Sequence, residues 1–228
     1  MNEILAVVEF LLAFGFILLF YRIWGKTGLY IWTAISTIIA NIQTPKSIEV
    51  FGIPMALGTV IYSTTFLVTD ILCENHGKKE ANKAVHIGFF AMVTMTLLMT
   101  LTIYFIPSPQ DFAHESIKTI FRVMPRIVLG SFIAYYISQF HDVNAYEFWR
   151  KKWPADKYFW VRNNFSTLVS QFIDSAIFIF IVWTGVFEFN VMIKMLFSTY
   201  IAKAVIALLD TPFLYIAKKM KKKYNLEE

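Results

Sequence analysis

The chain has 228 residues, 57% of them hydrophobic and 16% charged, which is too apolar for a soluble domain, where about 45–50% apolar and about 25% charged residues are usual. The net charge of +5 does not point to nucleic acid, because Lys and Arg gather in short loops and in the tail Lys218, Lys219, Lys221, Lys222 and Lys223 instead of forming a phosphate-binding surface. The single cysteine, Cys73, excludes an intramolecular disulfide. The histidines (His76, His86, His114, His141) fall in or beside separate loops without metal-ligand spacing, so neither a metal nor another cofactor is expected.

In chain order, apolar blocks cover 4–22, 29–43, 53–72, 85–106, 118–138, 165–187 and 191–216. Most approach the 20 or so residues that cross a hydrocarbon core of about 30 Å. The first block starts Met-Asn-Glu, with no basic n-region and no small-residue cleavage site, so it reads as a retained helix. The second runs into Asn41 and Pro45, and proline biases the preceding residue away from helix. The stretch 41–52 therefore reads either as the wall of a cavity or as an ordinary tight loop. Residues 139–164 read as the longest loop, and Pro212 as a kink or end of the last helix. The expected fold is all-α: one transmembrane domain over 1–228, of about seven helices, with a basic tail at 217–228.

Alternate loops carry Arg22 and Lys26; Lys78, Lys79 and Lys83; Arg150, Lys151, Lys152, Lys157 and Arg162; and then the tail. The other loops carry only Lys46 and Lys118. Basic loops stay cytoplasmic, so seven helices put the N-terminus outside and the C-terminus in the cytoplasm. Trp24, Trp32, Trp149, Trp153 and Trp160 fall near helix ends on or beside the cytoplasmic side, as interfacial anchors do.

Inside the blocks stand Glu9, Asp70, Arg122, Arg126, Asp174, Lys194, Lys203 and Asp210. An ionisable group at the bilayer centre costs about 2.5–3.5 kcal/mol on insertion scales, so such groups face the bundle interior and find partners. Arg126, Asp174 and Lys203 lie at similar depth, which predicts that Asp174 pairs with Arg126 or Lys203. At about 100° per residue, Asn163, Thr167, Ser170, Gln171 and Asp174 share one face, with Phe165 and Phe172 opposite. Such a stripe serves either interhelical hydrogen bonding or a solute path. Thr199, Lys203 and Asp210 share a face of the last block, and Asp70 and Glu74 lie one turn apart, with Glu74 read as either solvated or inward. The pattern favours a transporter of a small solute. A membrane enzyme would need a nucleophile–base pair or a metal at one depth, and none is seen. A structural assembly protein remains the third reading.

These residues in order resemble the queuosine-precursor transporter family, also called the vitamin uptake transporter family. The matching stretches are Thr69, Asp70, Glu74 and Gly77; Ser138, Gln139, Asp142 and Val143; Arg162, Asn163, Ser166, Thr167, Gln171 and Asp174; and Lys203 with Pro212. The ordered set covers about 30–216, and the stretch 162–174 is its specific part. The resemblance implies a six-helix core over about 29–216, to which 4–22 is an extra helix. It implies import through the cell membrane of 7-deazaguanine bases such as 7-cyano-7-deazaguanine, its aminomethyl analogue or queuine, for queuosine modification of tRNA. On that reading Asp174 or Asp70 accepts the N–H/NH₂ edge, Asn163, Gln171 and Thr167 orient the base, and Arg126 or Lys203 supplies the counter-charge. Glu74, Gln139, Asp210 and Asn41 are secondary candidates. No phosphate-binding Gly-x-x-x-x-Gly-Lys-Ser/Thr loop is present. The chain is then either a secondary transporter or the substrate-capturing subunit of an ATP-driven complex.

Overall fold

The computed structural model describes residues 1–122, 125–185, 187–224 and 226. The apolar N-terminal stretch cannot run straight. Helix α1, Asn2–Gln43, folds back at Gly25, whose φ of 55° and ψ of −139° lie outside helix geometry and suit a residue without Cβ. At Gly28 the second arm comes so close to the first that a Cβ would stand 2.1 Å from the Phe20 carbonyl oxygen. The arms then pack along their length: the Trp32 ring lies 6.1 Å from Phe16 and 5.8 Å from Phe20, and Gln43 Nε2 donates to Glu9 Oε1 at 2.9 Å. The expected helices 4–22 and 29–43 are the two arms of this hairpin.

The expected helix over 53–72 starts late. Strands β1, Ser47–Val50, and β2, Ile53–Ala56, pair antiparallel with Val50 opposite Ile53. The turn residues Phe51 and Gly52 both have positive φ, 51° and 74°, as a two-residue hairpin loop requires. The all-α expectation therefore misses one small two-stranded sheet. Asn2 Nδ2 ties it to the first arm by donating to the Glu49 carbonyl at 3.0 Å.

Helix α2, Thr59–Asn75, is the axis of the molecule: every residue in it is buried except Tyr62 and Glu74. It packs against α1, against α3 (Lys78–Thr102), α5 (Pro125–Lys152) and α7 (Phe189–Tyr224). The short α4, His114–Arg122, precedes α5; a 3₁₀ turn, Asp156–Tyr158, leads into α6, Phe159–Trp183. Two expectations need correction here. Residues 139–152 are not loop but the second half of α5. Their polar side chains lowered the local hydropathy, yet Gln139, Asp142, Val143 and Tyr146 follow helical spacing and are buried. His141 is therefore inside a helix and not in a loop. Pro212 does not end the last helix, which continues past it to Tyr224.

Among the described residues α1, α3, α6 and α7 are long and apolar enough to cross a membrane. Their outer faces expose Leu11, Leu97, Phe165, Phe172 and Leu208, side chains that a lipid solvent accepts and water does not. The molecule is a multi-pass membrane protein. One end of the bundle carries the N-terminus, the β-hairpin, and the α3–α4 and α6–α7 connections. The other carries the bend at Gly25, the turn at His76–Gly77, the α5–α6 connection and the basic end of α7. At that basic end Tyr21 Oη lies 3.0 Å from His76 Nε2, Asn75 Nδ2 donates to Tyr21 Oη at 3.0 Å, and Lys221 Nζ donates to the Asn75 carbonyl.

Candidate functional site

The interior polar groups are arranged in three levels along α2 and α6, which run in opposite directions. The first is a vestibule of about 600 Å³ entered from the β-hairpin end. Thr44, Met55, Phe178 and Trp183 form part of its wall, and Tyr62, Asp174 and Lys203 lie at its inner end. Thr44 and Pro45 give the stretch 41–52 the cavity-wall position, while Lys194 and Thr199 also line the space. At the inner end Lys203 Nζ pairs with Asp174 Oδ2. Tyr62 Oη donates to Asp174 Oδ1 at 2.5 Å and Ser138 Oγ donates to the same oxygen at 3.1 Å. The Lys203 ammonium also stands 5.0 Å from the centre of the Tyr62 ring, within cation–π range. Asp174 and Lys203 are 3% and 6% exposed. A buried charge pair survives only with such further hydrogen bonds to its oxygens.

The second level lies about two turns further along α6 from Asp174, toward the basic end. Thr167 Oγ1 donates to Asp70 Oδ2 at 3.0 Å; Thr69 Oγ1 lies 3.3 Å from Gln139 Oε1 and 3.4 Å from Asp142 Oδ2. Gln139 Nε2 donates to Thr65 Oγ1 at 2.6 Å and Asn163 Nδ2 to Asp210 Oδ1 at 3.2 Å. Gln171 is fully buried, and among the described residues neither its amide nitrogen nor its oxygen has a partner.

The third level closes the basic end. Arg162 Nη2 donates to both Glu74 oxygens at 3.0 Å, Lys218 Nζ to Oε1 at 2.8 Å and Tyr146 Oη to Oε2 at 3.0 Å. Arg162 Nη1 donates to the carbonyls of Trp153 and Pro154 at 2.9 and 3.1 Å. Glu74 is therefore an inward, multiply bonded carboxylate and not a solvated one.

Of the residues singled out in the sequence, Asp174 and Lys203 meet at the vestibule, and Asp70, Thr167, Asn163, Gln171, Gln139 and Asp210 form the middle level. Arg126 joins neither. Its exposed guanidinium donates through Nε to the Ile181 carbonyl at 2.8 Å and through Nη2 to the Thr184 carbonyl, so of the two expected partners of Asp174 it is Lys203 that pairs with it. Asn41 donates to the Thr37 carbonyl at 2.8 Å and contacts Met92 Sδ, away from all three levels. The side chain of Arg122 lies outside the described residues. Tyr62 was missed, although the run of Thr59, Ser63, Thr64, Thr65 and Thr69 around it marks a helix that never meets lipid. Asp142 and Lys218 were missed as interior groups because one sat in an assumed loop and the other in an assumed solvated tail.

A helix bundle with a lipid-compatible outside, a polar vestibule open at one end and an ion-paired closure at the other is built as a membrane transport protein. The chain belongs to the family described as putative vitamin uptake transporter, whose model matches residues 56–217. A protein of Bacillus subtilis (strain 168) described as a probable queuosine precursor transporter is 39% identical over 215 residues, covering 94% of this chain and 92% of that protein. No solved structure matches the chain. Apart from the vestibule-wall residues Thr44, Pro45 and Met55 and from Lys218, the named residues of the three levels fall within 56–217.

Proposed function

We propose that the chain imports queuosine precursors, 7-deazaguanine bases such as 7-cyano-7-deazaguanine, its aminomethyl analogue or queuine, through the cell membrane for queuosine modification of tRNA. The observation that carries this reading is the Asp174–Lys203 pair, an acceptor beside a donor at the inner end of a cavity of about 600 Å³. A deazaguanine presents an N–H and an exocyclic NH₂ side by side, which one carboxylate accepts together, and a neighbouring O6 that an ammonium binds. The Tyr62 and Phe178 rings at the wall offer faces for the flat heterocycle. Asp174 is then the edge-reading residue, with Lys203 on O6 and Tyr62 and Ser138 exchanging their bonds to Asp174 for bonds to the base. Asn163, Gln171 and Thr167 belong to the path beyond. The solute crosses chemically unchanged, so the chain is not an enzyme.

The charge of the loops supports an orientation in which the vestibule faces outward, the Glu74–Arg162–Lys218 closure faces the cytoplasm and the single domain crosses seven times. The arm before Gly25 precedes the family core. Import then requires an alternating movement in which the closure opens as the vestibule shuts. A host unable to make queuosine but able to use a supplied base provides the test. Expression of this chain restores queuosine to tRNA from external 7-cyano-7-deazaguanine, and D174N does not; restoration by D174N at equal membrane abundance contradicts the assignment.

A further inference from the structure

In the transport reading above, Asp70, Asp142 and Asp210 are not assigned to the base, and each is at most 1% exposed. Among the described residues no lysine or arginine forms an ion pair with any of them; the interior cations are committed to Asp174 and Glu74. Asp210 accepts from Asn163. Asp70 on α2 and Asp142 on α5 are tied to the same level by threonines: Thr167 Oγ1 donates to Asp70 Oδ2 at 3.0 Å, and Thr69, the residue before Asp70, has its Oγ1 3.4 Å from Asp142 Oδ2. A carboxylate buried to this degree without a cation partner is costly, and a proton removes that cost. In a region where an isolated charge is costly, neutral hydroxyl donors cannot replace it.

A second feature points to traffic through this level. Among the described residues the buried amide of Gln171 has no partner on either side, and Asp70 Oδ1 and Asp142 Oδ1 have none either. Buried polar atoms left unpaired cost on the order of 1–3 kcal/mol each, a cost that water or a passing proton relieves. Gln171 stands one turn from Thr167, which binds Asp70, and one turn from Asp174 at the vestibule. It thus occupies the interval between the carboxyl pair and the cavity.

We infer that the Asp70–Asp142 pair is a proton-binding site that couples solute import to a proton gradient. This rests on the transport reading above. A proton enters from the vestibule with each base, occupies the pair and leaves toward the basic end, so that one proton and one base cross together. Among the described residues no group of three or more His, Cys, Asp or Glu side chains is placed to hold a metal ion, and the proton is the ligand that fits.

The other titratable groups around the pair do not supply its charge. Cys73 on α2 is a buried thiol, and Tyr146 on α5 donates to Glu74. His141 on α5 bonds to Ser170 at 2.9 Å. Arg150 pairs with Glu147 on the same helix at 3.1 Å. From α6 and α7 come Arg162, held by Glu74, and Asp210, a third acid.

The test uses the full chain in vesicles loaded with a pH-sensitive dye. External 7-cyano-7-deazaguanine acidifies the lumen by about one proton per base taken up, in the absence of sodium. In D142N the ratio of protons to bases falls to zero, and Asp142→Glu restores it. A wild-type ratio of zero, a ratio of one in D142N, or uptake that follows a sodium gradient and ignores pH overturns the proposal. The infrared carbonyl band of a protonated carboxylic acid that D142N removes or shifts is read separately, without any substrate. Its absence from the wild-type protein in water and in D₂O overturns the proton site alone. Its presence alongside a complete lack of deazaguanine exchange supports the site and overturns the substrate reading instead.

Discussion

Among the described residues two carboxylates, Asp174 and Glu74, have basic partners from other helices, and they are built for opposite tasks. Asp174 meets one cation, Lys203, and two neutral hydroxyls, at the end of a cavity large enough for a small solute. Glu74, about 18 Å away along α2 from Tyr62 at 1.5 Å per residue, meets two cations, Arg162 and Lys218, and a tyrosine. Arg162 is spent further on two backbone carbonyls. A pair with exchangeable neutral donors facing a cavity can swap them for a ligand. A carboxylate enclosed by two cations and a packed arginine loses too much by opening on its own, and serves as a closure. The same residue types thus give a recognition site or a lock according to how many partners are fixed and whether space adjoins them.

The difference is broken most severely at Lys203. Lys203→Met removes the donor proposed for O6 and leaves Asp174 with hydroxyls only. Uptake of labelled 7-cyano-7-deazaguanine is expected to fall about 100-fold, matching the ~3 kcal/mol upper range for a bond to a charged group. Next comes the closure. Glu74→Gln strands the buried Arg162 charge, a loss of about 3–5 kcal/mol for a broken buried pair. It appears as a lowered unfolding midpoint in detergent. The double variant E74Q/R162M regains part of that loss if the pair acts as a unit.

A smaller effect tests whether the basic end is held together as described. Burial, together with Lys221 and Lys26, pushes His76 down to about 4 from an ordinary 6.5. The unfolded chain then binds more protons than the folded one between those two values. Stability from the neutral His76–Tyr21 contact is present above about pH 6.5 and is lost as pH falls toward about 4. The unfolding temperature of the wild type falls through that window, and H76Q shows a shallower fall. The smallest effect belongs to Arg126→Gln. Its exposed guanidinium binds only two carbonyls, and uptake changes by less than about twofold, as surface substitutions generally do.

Much of the polar interior was legible from spacing and charge. Asn163, Thr167, Ser170, Gln171 and Asp174 recur at helical intervals between Phe165 and Phe172, and the bilayer leaves only one way to turn such a helix. Lys203 followed from opposite charge at equal depth, but Arg126 was put at that depth because the fifth block was read from 118; α5 begins at Pro125, and Arg126 at its end meets the carbonyls of Ile181 and Thr184, well beyond Asp174. The second half of α5 was illegible for a physical reason. A helix that lines a polar interior has low hydropathy, so Gln139 and Asp142 read as loop. The β-hairpin at 47–56 was hidden because Ile53 and Met55 continue the apolar run of α2. Glu74 could be read as solvated or inward because its partners Arg162 and Lys218 are remote in sequence.

The central claim is that Asp174 reads the N–H/NH₂ edge of a deazaguanine. The most direct measurement is equilibrium binding of 7-cyano-7-deazaguanine and of its analogue lacking the 2-amino group, to the wild-type protein and to D174N. The account predicts that the wild type prefers the amino compound by about tenfold or more, the 1.4 kcal/mol equivalent of one lost hydrogen bond, and that D174N binds the two alike. An undiminished preference in D174N would contradict it.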